Sequence, residues 1–257
     1  MPRALPAIVL VRSVVLEACR GGLPWLALGA VVVGLGLAAF VSQVALTESR
    51  ALQAAVLAAV WRAGVVFLVA TQVTASTLRE IQDKGLELML SLPLSRTTQY
   101  LARLAGFAAC GVALAVVFAV PMLAWAPPGA VLLWGVSLAC EATLVAAAAL
   151  FFAMTLQQFV PAITATAGLY LLGRSIGAIQ AIAAAPLGEP SATSRLAQHA
   201  VDAIALVLPR LDAVTRTAWL LYEPPAAATY AAGVGSLVLY AVLLAAGGLF
   251  DFHRRNL

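Results

Sequence analysis

Six stretches of the chain stay apolar long enough to cross a bilayer, and polar positions fall mostly between them. A span takes about 20 residues at 1.5 Å rise each. The runs at 24–46, 53–77, 99–125, 130–156, 159–184 and 229–251 meet that length. TESR (47–50) makes a tight connection between the first pair, and APPG (126–129) does the same for the third and fourth. Only Gln157 and Gln158 separate the fourth run from the fifth, with Pro161 just after. Ahead of the first run, Ile8, Val11, Val15 and Ala18 share one helical face, and Ser13, Glu17 and Arg20 share the opposite one. That pattern predicts a helix within 1–22 lying in the membrane interface. Arg12 and Glu17 interrupt its apolar stretch and no A-x-A type site follows, so it is read as mature protein and not as a cleaved signal.

Two connections are longer. The one between the second and third runs spans 78–98, and the one between the fifth and sixth spans 186–228. The latter holds two amphipathic stretches too short to cross, Ala197–Leu208 and Leu211–Tyr222, parted by Pro209 and ended by Pro224 and Pro225. Two interfacial helices packed on the outer mouth are expected there. The expected fold is an all-α polytopic membrane protein, a single transmembrane domain over 1–257.

Composition agrees with lipid as the main solvent. Hydrophobic residues make up 63% of the 257 and charged residues 10%, with a mean hydropathy of +1.00. A soluble domain keeps roughly a quarter of its residues charged. The net charge of +4 rests on arginine, since Lys84 is the one lysine. These residues are scattered between apolar runs instead of forming one basic patch, which excludes a nucleic-acid partner. An N-terminus placed inside puts Arg3, Arg12, Arg20, Arg79, Lys84, Arg96, Arg103, Arg254 and Arg255 in the cytoplasm. Only Arg50, Arg195, Arg210 and Arg216 then lie outside, so the positive-inside rule selects cytoplasmic termini. Cys19, Cys110 and Cys140 form no CxxC pair, and His199 and His253 have no partner at metal-ligand spacing, so no metal site is expected.

The stretch Leu78–Arg96 reads LREIQDKGLELMLSLPLSR. As a helix it sets Leu78, Ile81, Leu88, Met89 and Leu92 on one stripe and Glu80, Asp83 and Glu87 on another. Pro93 ends such a helix, and Ser95 is placed to cap the next one. The result is an amphipathic cytoplasmic helix with an acidic edge, joined to two spans. By spacing alone it is either a force-transmitting element or a solvated loop helix.

This segment resembles the cytoplasmic segment of ABC-2 type permeases, in which Arg-Glu is followed by Gly, Glu, Leu-Leu and Pro-(Val/Leu)-Ser. Arg79, Glu80, Gly85, Glu87, Pro93 and Ser95 match, while Leu86 stands where the family often has Thr. Leu208-Pro-Arg-Leu-Asp212 is similar to the Leu-Pro-x-Leu-(Asp/Glu) before the family's last span, and Phe252–Leu257 to its short basic C-terminus. Permeases that accompany nitrous oxide reductase maturation are the nearest look-alikes. The resemblance implies a bacterial inner-membrane permease subunit, itself not an enzyme, working with a second permease copy, identical or paralogous. A separate P-loop ATPase, carrying ATP and Mg, would dock on Arg79, Glu80, Asp83, Gly85, Glu87, Leu88, Pro93 and Ser95. The chain has no G-x-x-x-x-G-K-[ST] of its own with which to cradle phosphates. Export and force transmission to an external partner at 186–228 both fit this reading.

Arg62, Glu141 and Arg174 lie inside apolar runs two, four and five, each about 10 positions, or roughly 15 Å, from the outer end. A charge at that depth costs at least about 2.5 kcal/mol and normally faces protein or water. The three are expected at one level, as a structural cross-link, as a lining of the path, or snorkelling apart. A secondary transporter coupling through them is the alternative function. An intramembrane hydrolase would need a nucleophile and base at one depth, and both histidines fall outside the runs.

Overall fold

The computed structural model describes residues 4–44, 49–83, 95–184, 192–222 and 225–254. Its helices are α1 (Ala4–Arg20), α2 (Leu23–Val44), α3 (Ser49–Gln82), α4 (Arg96–Met122), α5 (Pro128–Leu156), α6 (Phe159–Ala184), α7 (Ala192–Val207), α8 (Ala218–Leu221) and α9 (Ala227–Arg254), with a 3₁₀ turn at Leu211–Ala213. Six of them, α2 to α6 and α9, are long and apolar enough to cross a membrane. The chain is an all-α, multi-pass membrane protein.

The helix ends follow local chemistry. Pro127 and Pro128 open α5, where a missing N–H costs nothing and the fixed φ suits the first turn. Pro121 sits in the last turn of α4, which ends three residues short of the predicted 125. Gln157 closes α5 with a left-handed φ of 54° and donates its N–H to Ala153 O. Ser95 caps α4 as its sequence position predicts, its hydroxyl accepting from Thr98 N at 3.2 Å. Gly22, at φ 89°, makes the bend between α1 and α2 that an L side chain would strain.

Two elements differ from expectation. Helix α3 runs 34 residues, roughly 51 Å, so Leu78 to Gln82 are its last turns and not the start of a separate helix. No Gly or Pro follows Gly64 before Gln82, and nothing breaks the ladder. On α1 the buried stripe is Leu10, Val14 and Ala18, while Ile8 is 63% exposed. The apolar arc of α1 is broad, and tertiary contacts pick the edge that meets the protein. A Cβ on Gly106 of α4 would lie 2.8 Å from Val14 Cβ, so the glycine is what lets α1 seat there.

Helix α5 is the centre, packed by α3, α4, α6 and α9. Its alanines at 142, 146–149 and 153 are all buried, and such small residues let neighbouring backbones approach closely. Helices α2 and α9 turn most of their apolar surface outward, as helices facing hydrocarbon do. Of the glycines in α2, Gly34 is buried against the Trp61 indole of α3, whereas Gly29 and Gly36 face open space. Trp61 in turn stacks on Phe118 of α4 with ring centroids 6.0 Å apart.

A Cβ at Gly34 collides with the Trp61 ring, and Gly34→Ala should therefore destabilise the protein by about 1–3 kcal/mol. Gly36→Ala meets nothing and should be neutral or slightly stabilising. Thermal unfolding of both variants in detergent gives the comparison.

Candidate functional site

Two of the three charged residues inside the spans, Arg62 and Arg174, converge on a segment with no α-helix, and Glu141 acts on Arg174 through its charge. Arg62 lies about 20 Å along α3 from Ser49, and Glu141 a similar distance along α5 from Pro128. Arg174 lies about 15 Å from the end of α6. Between α7 and α9 the chain folds in against these helices. Leu211, Val214 and Thr215 are buried, with Leu211 packed beside Leu144 of α5 and Leu237 of α9. The expected continuous helix over Leu211–Tyr222 is replaced by the 3₁₀ turn, an irregular stretch and the four-residue α8.

Backbone carbonyls in such a stretch have no i+4 amide to bond, and the apolar interior supplies no water. The arginines take that role. Arg174 Nη1 donates to Leu211 O and, at 2.9 Å, to Val214 O, and its Nη2 donates to Thr215 O at 3.3 Å. Arg62 Nη1 donates to the same Thr215 O at 2.9 Å. One carbonyl thus ties α3 to α6. Thr215 itself is fully buried at φ 52°, a left-handed conformation that a β-branched residue rarely adopts.

Glu141 is fully buried. Its Oε1 accepts from the Tyr170 hydroxyl of α6 at 2.8 Å, and its Oε2 has no hydrogen-bond partner. The hydrogen bonds of Arg62 and Arg174 go to the 211–215 carbonyls, while Glu141, Arg62 and Asp212 act on Arg174 through their charge. Formally, two guanidiniums balance two carboxylates, one of which, Asp212, belongs to the inserted segment. Tyr170 precedes Arg174 by one helical turn, the spacing that places both on one face. That spacing was the available signal for Tyr170; no local signal marked Thr215 or the carbonyls.

A second charged group ties the other end of the bundle together. Glu80, near the end of α3, forms an ion pair with Arg103 of α4, which is only 5% exposed. Glu17 of α1 accepts from Ser76 of α3 at 2.9 Å and acts on Glu80 through its charge. Glu80 therefore spends its carboxylate within the chain, while Arg79 and Asp83 are exposed. Asp83 N still reaches Arg79 O at 2.9 Å, and Ser95 is the α4 cap. Gly85, Glu87, Leu88 and Pro93 lie outside the described residues, as do parts of the TESR turn and of 186–228. No group of three or more His, Cys, Asp and Glu at metal-binding separation occurs among the described residues.

A scan against protein-family models finds no match for the chain, and a search of curated proteins finds no similar one.

Two outcomes test these assignments. Arg174→Met strands the Val214 carbonyl, at a cost of about 1–3 kcal/mol, and leaves Leu211 O only its bond from Val214 N, whereas after Arg62→Met the shared Thr215 carbonyl keeps Arg174. Arg174→Met should lower the melting temperature in detergent more than Arg62→Met does. Arg103→Met leaves the Glu80 carboxylate unpaired beside Glu17 and should cost about 3 kcal/mol or more. Adding Glu80→Gln to Arg103→Met should recover much of that loss, measured by the same unfolding assay.

Proposed function

We propose that the chain is the permease subunit of an ATP-driven ABC exporter of the ABC-2 type, built into a bacterial inner membrane with both termini cytoplasmic. The observation that carries this reading is the LREIQDKGLELMLSLPLSR segment together with how its ends are attached. Its first residues are the last turns of α3, and its last serine caps α4. A push at either end of such a segment enters a span directly, through the last turns of α3 or the first turn of α4. The Glu80–Arg103 pair and the Glu17–Ser76 bond clamp α1, α3 and α4 where that push would enter. On this reading a separate P-loop ATPase binds ATP and Mg, a second permease copy completes the path, and closure of the ATPase moves α3 and α4 together. The same movement serves export or force passed to an external partner at 186–228.

A secondary transporter is the competing reading, favoured by one observation. The Glu141 carboxylate is buried with one oxygen unpartnered, as a coupling-ion site would require.

The experiment is purification from the native operon context in mild detergent, with Asp83→Lys and Glu87→Lys as variants. These positions are chosen because Glu80 already serves Arg103 inside the chain. An ATPase that co-purifies in stoichiometric amount, and is lost in the double variant, is the expected result. A stable, well-folded permease that never carries an ATPase would refute this reading and favour coupling through Glu141.

A further inference from the structure

We propose that residues 209–217 are a displaceable plug seated on an anion site, and that Arg62 and Arg174 bind an oxyanion attached to an apolar body when the plug leaves. This deepens the permease reading by naming a substrate class, and it holds whatever powers the transport.

Four observations point the same way. First, three carbonyl oxygens, those of Leu211, Val214 and Thr215, converge on two guanidiniums. Guanidinium forks suit carboxylate and phosphate oxygens better than amide carbonyls, because charge-assisted bonds are stronger. The chain's own backbone occupies a position that an oxyanion would fill more tightly.

Second, the seated segment is poorly satisfied. Thr215 is left-handed with its Oγ1 buried and unpartnered, and Asp212 Oδ1 is buried without a partner as well. Strain and unmet polar groups at one segment mark it as the part of the bundle that yields first. Gly173 and Gly177 of α6 admit it: a Cβ at Gly173 would lie 2.7 Å from Pro209 O, and one at Gly177 would collide with the Asp212 carboxylate.

Third, the charges are complementary. With the plug seated, Arg174 lies within reach of the charges of Glu141 and Asp212, and Arg62 meets it at the Thr215 carbonyl. The segment's own Arg210 and Arg216 are exposed, so its departure removes Asp212 from the buried set and leaves Arg62, Arg174 and Glu141 with one net positive charge. Glu141 Oε2, now without a hydrogen bond, can then accept from one guanidinium while the other meets a singly charged ligand.

Fourth, the plug brings apolar surface beside its oxygens. Leu211 and Val214 pack with Leu144, Trp219 and Leu237. A replacement must cover Leu144 and Leu237 again, which requires a ligand with an apolar body and excludes a small hydrated anion.

A disulfide reports the seat directly. An ideal Cβ on Gly177 lies 3.5 Å from Asp212 Cβ, within the range of a cystine. The full-length protein carrying Gly177→Cys and Asp212→Cys, with Cys19, Cys110 and Cys140 changed to Ala, is purified in neutral detergent and oxidised. Cross-linking is followed over time with decanoate, with decyltrimethylammonium, with acetate, or with no addition. Rapid cross-linking of the untreated protein is expected, and its absence would overturn the seated geometry. Decanoate should slow the reaction several-fold, with the ammonium and acetate leaving it unchanged. No slowing by decanoate, or equal slowing by the ammonium, would overturn the anion site. Equal slowing by acetate would overturn the apolar half of the assignment. In the Arg174→Met background the decanoate effect should disappear, and its persistence would argue against the proposal.

The ATPase content of the same preparation is scored separately. A decanoate response without an ATPase keeps the site and removes the ABC reading. An ATPase without a decanoate response keeps the permease and removes the plug.

Discussion

A backbone carbonyl inside an apolar bundle must find a donor, and the arrangement of this protein turns on where three such carbonyls find theirs. Helices solve the problem internally, which is why most of the chain is helical. The stretch around Leu211 to Thr215 does so only in part: its 3₁₀ turn bonds Val214 N to Leu211 O, and the carbonyls of Val214 and Thr215 take their donors from side chains. Arg62 and Arg174 supply the missing donors from α3 and α6. The guanidinium donors and the irregular backbone acceptors satisfy one another. Their shared carbonyl at Thr215 also fixes the distance between two spans that do not follow one another in the chain.

Around that point the bundle is organised by α5. Its small side chains let α3, α4, α6 and α9 crowd against it. Its single carboxylate faces the level at which the arginines work. Glu141 reaches Tyr170 by hydrogen bond and Arg174 by charge. The helix that is most buried by packing thus also carries the counter-charge to the inserted segment. A rotation of α5 or α6 would change the packing and the electrostatic balance together.

The Glu80 end of α3 is held in a different way. There the Glu80–Arg103 pair and the Glu17–Ser76 bond join α1, α3 and α4 side chain to side chain. Because α3 is unbroken from Ser49 to Gln82, both regions sit on one rod. A displacement at Glu80 is felt at Arg62 about 27 Å away along the helix axis. That continuity links the proposed coupling segment to the proposed plug.

The sequence by itself determined the all-α class, the six spans to within a few residues, the proline opening of α5 and the Ser95 cap. Each of these depends on a length of apolar residues or on one residue's local hydrogen bonding, which is written in consecutive positions. It also showed Arg62, Glu141 and Arg174 to be inside the spans, because a charge in an apolar run stands out at once. Only the tertiary structure decided their partners. The donors of Arg174 go to backbone carbonyls some 40 residues further along the chain, and a carbonyl has no letter in a sequence. The same holds for the face of α1. Its wheel is apolar over a wide arc, and the stripe at Leu10, Val14 and Ala18 was chosen by Gly106 and Ser76, which lie on other helices. The helix expected over Leu211–Tyr222 failed for a related reason: amphipathic spacing was present, but buried donors from α3 and α6 offered its carbonyls another way to be satisfied.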